Sequence, residues 1–159
     1  MPMSKLHKNT SVVLVCLVTG AGMAGLSNVA AQDKAKGAAG AIVKRGEYLV
    51  NVVARCGDCH TPRTDKGKLD MSRHLQGANM WFTPKVKKGE FEDHAPDITN
   101  SGRAGKWNEA KMVKFLSTGE KSDPPMPAYN LTVEDAQSVT AYLRSLPGRK
   151  AGGKKRDDD

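Results

Sequence analysis

Aromatic residues are scarce in this chain: three Phe, two Trp and three Tyr make up 5% of its 159 residues. Single-stranded nucleic acids are held largely by stacking on aromatic rings. The composition therefore argues against a nucleic-acid partner, even with a formal charge of +8. Cysteine is scarcer still. There are three, and Cys16 stands apart from the pair Cys56 and Cys59. Once that pair is committed to a shared task, no disulfide framework remains. Long apolar runs are also missing. Residues 11–24 include Val12, Val13, Leu14, Val15, Leu17 and Val18. The run is short of the roughly 20 residues that span a bilayer, and Gly20, Gly22 and Gly25 weaken it further. No internal repeat is visible.

That run fits a secretory leader instead. Lys5 and Lys8 give it a basic start, and Val29-Ala30-Ala31 offers small residues for cleavage before Gln32. The expected organisation is a signal peptide over 1–31 and a flexible N-terminal extension over 32–40, rich in Ala, Gly and Lys. A compact domain comes next over 41–148, then a disordered charged tail over 149–159 with nothing to bury. The expected location is periplasmic, with no stable membrane span after cleavage. Export is a second argument against nucleic acid. Only Lys5 and Lys8 leave with the leader, so the remainder stays basic. A basic surface draws acidic partners and equally serves solubility.

Three helices are predicted. Ile42, Leu49, Val50, Val52 and Val53 form one apolar stripe on a helix starting near Ala41 and ending close to Cys56. A second covers 108–118, with Asn108 as N-cap, Trp107 and Met112 as a hydrophobic staple, Met112, Phe115 and Leu116 buried, and Gly119 closing it. The third starts from Thr132, carries Glu134 and Asp135 in its first turn, and buries Val139, Tyr142, Leu143 and Leu146 before Pro147-Gly148. Residues 61–105 lack a helical period and read as loops. A small hairpin is predicted within them, pairing 81–86 with 90–92.

The strongest signal is Cys56-Gly57-Asp58-Cys59-His60. Cys-x-x-Cys-His is the attachment signature of a c-type haem. Two thiols add across the vinyl groups, and the histidine supplies an axial nitrogen. An export signal suits this, because such haem is attached beyond the cytoplasmic membrane. A large apolar cofactor would also organise the long irregular segment. A thioredoxin-like dithiol would need a βαβ setting and would not need His60. A zinc site would need two more ligands, and only His74, His94 and carboxylates are on offer. For the sixth ligand the favoured residue is Met126, in Pro124-Pro125-Met126-Pro127, where prolines restrict the backbone. A thioether favours ferrous iron and raises the potential. Lone methionines more often fill cores, as Met112 is expected to. Met71, Met80, His74 and His94 are the other candidates.

With this motif after an N-terminal helix, and Met126 before a C-terminal helix ending Ala141-Tyr142-Leu143-Arg144-Ser145-Leu146-Pro147, the chain resembles the class I cytochromes c. The resemblance implies an all-α, class I cytochrome c-like fold with long irregular loops. Its N- and C-terminal helices cross beside the haem, a small residue against an aromatic, for which Gly46 and Tyr142 are the matches. The chain is similar, more closely, to haem domains in cytochrome subunits of bacterial periplasmic dehydrogenases. The residues carrying this are Arg45-Gly46-Glu47-Tyr48-Leu49-Val50, Thr61-Pro62-Arg63, Asp97-Ile98-Thr99-Asn100, Gly105-Lys106-Trp107-Asn108 and Met126-Pro127-Ala128-Tyr129. Expected haem-pocket walls are Ile98, Phe115, Leu116 and Tyr129. Expected propionate contacts are Trp81, Trp107, Arg63 and Arg73.

The function expected is that of a monohaem electron carrier, with one haem c on Cys56 and Cys59 and iron between His60 and Met126. It would pass single electrons from a dehydrogenase to an oxidase or cytochrome acceptor. Lys66, Lys68, Lys85, Lys87 and Lys88 would form a basic rim for acidic docking surfaces. One alternative is a cytochrome subunit fixed in a periplasmic oxidoreductase complex. Another is a five-coordinate, ligand-binding haem protein, which requires Met126 not to bind.

Overall fold

The computed structural model describes residues 24–83, 91–119 and 123–149. The chain divides into two compact units, 1–34 and 35–159. The first is described only as the beginning of helix α1 (Ala24–Tyr48). In the second, α1 runs into a π-helical turn (Leu49–Val53), then α2 (Gly57–His60) and a 3-10 turn (Met71–Arg73). Strands β1 (Gln76–Asn79) and β2 (His94–Asp97) precede α3 (Arg103–Lys106), α4 (Glu109–Ser117) and α5 (Val133–Ser145). The architecture is mainly helical, as expected.

Two helices obey their sequence signals closely. Asn108 caps α4, its Oδ1 accepting from Lys111 N at 2.8 Å, and Thr132 Oγ1 caps α5 through Asp135 N at 3.1 Å. Met112 and Leu116 are buried on α4, and Val139, Tyr142 and Leu143 on α5. These two helices share the core with Leu49, Val50, Leu75 and Ala104. Helix α5 also meets α1: a Cβ on Gly46 would run into the carbonyl oxygen of Ser138 and lie 2.7 Å from Tyr142 Cβ. The N- and C-terminal helices therefore cross where no side chain larger than hydrogen fits. Arg45 and Asp135 close the crossing with a 2.9 Å ion pair.

The first helix departs from its expected form. It starts at Ala24 rather than near Ala41, so residues 32–40 are helical, and residues 35–40 are exposed. Its apolar stripe also splits. Leu49 and Val50 are buried, whereas Ile42, Val52 and Val53 are 46%, 60% and 57% exposed. The π-helical turn explains the later pair. Both lie inside that turn, whose wider spacing changes which residues share a face, and Ala54 N bonds back to Leu49 O at 2.8 Å.

The strands are also displaced from their predicted place. The antiparallel register is Gln76↔Asp97, Ala78↔Ala95 and Asn79↔His94. Of the expected hairpin, 84–90 lie outside the described residues, and 81–83 form no strand. Gly, Asn, Pro and Asp are poor strand formers, which hides Gln76–Asn79 and His94–Asp97 from propensity. Within the tail only Arg149 is described; its backbone N donates to Ser101 Oγ at 2.8 Å. Among the described residues no helix is long and apolar enough to cross a membrane.

Candidate haem site

The turn after the π-helix builds one wall of the site. Arg55 takes a left-handed conformation (φ 51) that breaks the helix direction. Its guanidinium then pairs with Asp58 at 2.9 Å. Cys56 caps the single turn of α2, which carries Cys59 and His60 inward. Cys56, Cys59 and His60 all line one cavity of about 430 Å³.

His60 is almost wholly buried, and its Nδ1 lies 2.8 Å from the carbonyl oxygen of Pro96 in β2. A carbonyl only accepts, so Nδ1 carries the proton and Nε2 keeps its lone pair. Burial, more than any other influence, lowers the proton affinity of this imidazole, which keeps it neutral. A neutral ring with one nitrogen fixed by a backbone acceptor is how metal-binding histidines are commonly oriented. Burial also pushes the Cys56 thiol up to about 11. Cys59 is raised too, by burial and then by Asp58. Reactive dithiols have the opposite tendency. Among the described residues no cluster of three His, Cys, Asp or Glu suited to a metal ion occurs.

The remaining walls come from distant segments. Ile98, Trp107, Phe115, Leu116, Met126 and Tyr129 reach the same cavity, as do Val139 and Leu143 from α5. Burial pushes the Tyr129 hydroxyl up to about 12, so it stays neutral. This surface is broad, apolar and open to two thiols and an imidazole at one end, which suits a porphyrin. Met126 comes after a cis Pro124–Pro125 bond, and its N–H donates to Asp123 O at 3.2 Å.

Of the other ligand candidates, Met80 and His94 also line the cavity, and Met112 does so from the core. Met71 is 63% exposed and His74 points elsewhere. His74 Nε2 lies 3.1 Å from Asn51 Oδ1, while Nδ1 lies 3.3 Å from Thr61 Oγ1. Asn51 Nδ2 in turn donates to Tyr142 OH at 3.0 Å, so this chain of bonds ties α5 to the residue after His60. Burial lowers the His74 pKa. A folded value below the unfolded value near 6.5 gives stability that is present above about pH 6.5 and lost as pH falls through the folded value. Urea unfolding at pH 5 and pH 7 should thus show a smaller pH effect in His74→Gln than in wild type. An identical pH effect would remove the network from the account.

The expected propionate contacts are divided. Trp107 reaches the cavity; Trp81, Arg63 and Arg73 do not line it. Arg63 sits over Trp81 at 4.8 Å and donates to Gly67 O at 2.8 Å. Arg73 pairs with Asp70 at 2.7 Å. Sequence reasoning missed Arg103, which lines the cavity, and the Pro96 carbonyl. A backbone acceptor has no residue signature; the sole clue was that a ligand histidine needs one. Of the expected basic rim, Lys66 and Lys68 are exposed, and Lys85, Lys87 and Lys88 lie outside the described residues.

The family model for cytochrome c matches residues 43–147, the span that encloses this cavity. The chain belongs to the cytochrome c family. A cytochrome c domain with the pair Cys56 and Cys59 carries haem c covalently and belongs to electron transfer. The chain is similar to the fructose dehydrogenase cytochrome subunit of Gluconobacter japonicus, with 31% identity over 121 residues, 69% of this chain and 23% of the relative. It is also similar to a diheme cytochrome c-type protein of Cereibacter sphaeroides, with 30% identity across 65% of this chain and 35% of the relative. A third relative is the cytochrome c subunit of a quinone alcohol dehydrogenase of Gluconobacter oxydans, 28% identical across 74% of this chain and 26% of the relative. The chain thus spans between about a quarter and about a third of these relatives' lengths.

Proposed function

We propose that this cytochrome is a periplasmic, exported one-electron carrier whose haem iron lies between His60 and Met126, serving a dehydrogenase donor and a respiratory acceptor. The observation that carries the reading is the single cavity shared by the two cysteines, an oriented neutral His60 and Met126. Haem iron supplies the one-electron change. The chain's residues determine how easily it occurs: Pro96 O fixes the His60 ring, and the thioether of Met126 favours the ferrous state. Ile98, Phe115, Leu116 and Leu143 keep water from the porphyrin face, so the environment reorganises little when the charge changes. Lys66 and Lys68 contribute positive charge for an acidic partner.

With both axial positions filled, mixing the ferrous protein with carbon monoxide should give little or slow binding. Rapid, complete binding would overturn the reading and favour an open iron site. The names of the relatives favour a second arrangement, in which the carrier is a subunit of a dehydrogenase complex. Native purification distinguishes the two: a free monomer supports the shuttle, and a stable complex supports the subunit.

A further inference from the structure

Among the described residues Asp97 is the one buried carboxylate, 5% exposed at the end of β2. Every hydrogen bond its side chain makes is one it accepts. Oδ1 takes Thr99 N at 2.8 Å and Thr99 Oγ1 at 2.7 Å, and Oδ2 takes Ser101 Oγ at 2.7 Å. All three donors are uncharged. Asp58, Asp70 and Asp135 each pair with an arginine, whereas among the described residues no cation forms an ion pair with Asp97. The fold therefore encloses a negative charge that hydrogen bonds satisfy and no positive charge cancels.

The enclosure is tight on every side. A Cβ on Gly102 would collide with the Asp97 carbonyl oxygen and lie 2.6 Å from Oδ1, and one on Gly77 would lie 2.8 Å from Asp97 N. Thr99 is completely buried. The chain leaving α5 closes the remaining side. A Cβ on Gly148 would collide with Ser101, and Arg149 N donates to Ser101 Oγ at 2.8 Å. Arg149 Nη2 donates to the carbonyl of Gln76, the residue opposite Asp97 in the ladder, at 3.1 Å.

This charge lies next to the axial histidine. The residue before Asp97 supplies the carbonyl that holds His60 Nδ1. Burial does most to lower the proton affinity of that imidazole; the Pro96 hydrogen bond raises it, Arg103 and His94 lower it, and Asp97 raises it. The field of the carboxylate thus reaches the His60 ring. A charge in a buried setting acts more strongly, and is screened less by salt, than one at the surface.

We propose that Asp97 is a potential-setting residue, a buried negative charge beside His60 that stabilises ferric iron and lowers the reduction potential of this carrier. This rests on the haem site and the axial role of His60 proposed above. Ferric iron carries one more positive charge than ferrous iron, so a nearby anion favours the ferric state. The thioether of Met126 pulls the other way, and the carboxylate moderates it.

Asp97→Asn isolates the charge. Asparagine has the same shape, and its Oδ1 keeps both Thr99 donors. Its Nδ2 replaces Oδ2, and the Ser101 hydroxyl has a second lone pair with which to accept from it. Asp70→Asn is the matched control. Asp70 accepts from Ser72 N at 3.1 Å and Ser72 Oγ at 2.6 Å, but it is partly exposed and paired with Arg73.

The test uses the full haem-loaded chain as wild type, Asp97→Asn, Asp97→Ser and Asp70→Asn, with midpoint potentials measured by spectroelectrochemistry. Asp97→Asn should raise the ferrous-to-ferric ratio at fixed potential by roughly threefold to tenfold, the upper figure being about 59 mV for one electron. Asp97→Ser, also neutral, should move it in the same sense and decides the matter if the amide variant does not mature. The rise should persist between about 0.15 M and 1 M salt, and the ferric spectrum should match wild type, since no ligand is altered. Asp70→Asn should leave the potential in place. An unmoved or lowered potential in the neutral Asp97 variants overturns the proposal. So does an equal rise in Asp70→Asn, which would expose a general charge effect, a rise that salt abolishes, or a rise that comes with an altered ferric spectrum. An alkaline pyridine spectrum of wild type checks covalent haem separately. Its failure would overturn the haem site itself, whereas covalent haem with a flat potential overturns only the role of Asp97.

Discussion

Met126→Ala, matured with haem, is expected to lose the weak far-red sulfur-to-iron band of the ferric protein. Its ferrous-to-ferric ratio at fixed potential should fall by at least tenfold, a drop of about 59 mV or more. The reason lies in ligand softness. A thioether stabilises ferrous iron, and alanine leaves water or another donor to take the position. The geometry makes the control variants specific. Met80, His94 and Met112 share the cavity with Met126, so Met80→Ala and His94→Ala must keep the band if Met126 is the ligand. Loss of the band in Met80→Ala with retention in Met126→Ala would transfer the role to Met80. Loss in neither would point to another sulfur such as Met112, whereas absence of the band from wild type would remove methionine ligation and reopen the bis-histidine or open-site alternatives.

Gly46→Ala is expected to be strongly destabilising. The obstacle is backbone, the Ser138 carbonyl on α5, together with Tyr142 Cβ. A flexible side chain could rotate away, but a helix carbonyl cannot. Overpacking of this kind costs up to about 3 kcal/mol, and the gain in helix propensity returns about 1 kcal/mol. A net loss of about 2 kcal/mol in a domain of this size lowers Tm by roughly 10 °C. Gly40→Ala in the same helix has open space around its Cβ, so it should be neutral or stabilise by up to about 1 kcal/mol. Thermal unfolding monitored by haem absorbance compares the two. Equal melting temperatures for Gly46→Ala and wild type would mean that α1 and α5 are not pressed together at Gly46.

Much of the scaffold is legible in the sequence. The caps at Asn108 and Thr132 and the buried faces of α4 and α5 are local: a hydrogen-bonding side chain at a helix start and an apolar period of 3.6 residues suffice. The match of Gly46 to Tyr142 comes from family resemblance, since nothing in a lone glycine tells which helix lies over it. The first helix is less legible. An apolar stripe assumes a uniform turn, and the π-helical stretch Leu49–Val53 breaks that assumption by turning Val52 and Val53 outward. The β1–β2 ladder escapes notice because its residues are weak strand formers, and its pairing is decided by the loops on either side.

The site divides along the same line. By itself the sequence determined the covalent chemistry, because Cys56, Cys59 and His60 are close neighbours along the chain and need no tertiary partner to be recognised. It also marked Met126, through the prolines around it. Only the tertiary structure decided which residues share the cavity with them, since Pro96, Arg103, Met80 and Tyr129 approach from segments far apart in the chain. It likewise decided which nitrogen of His60 is held, by bringing a carbonyl 36 residues away to 2.8 Å. It turned His74 toward Asn51 and Thr61 and left Arg103 facing the cavity. The physical reason is that covalent reactivity is a property of neighbours in sequence, whereas orientation, burial and electrostatic pairing depend on groups that only folding brings within a few ångströms.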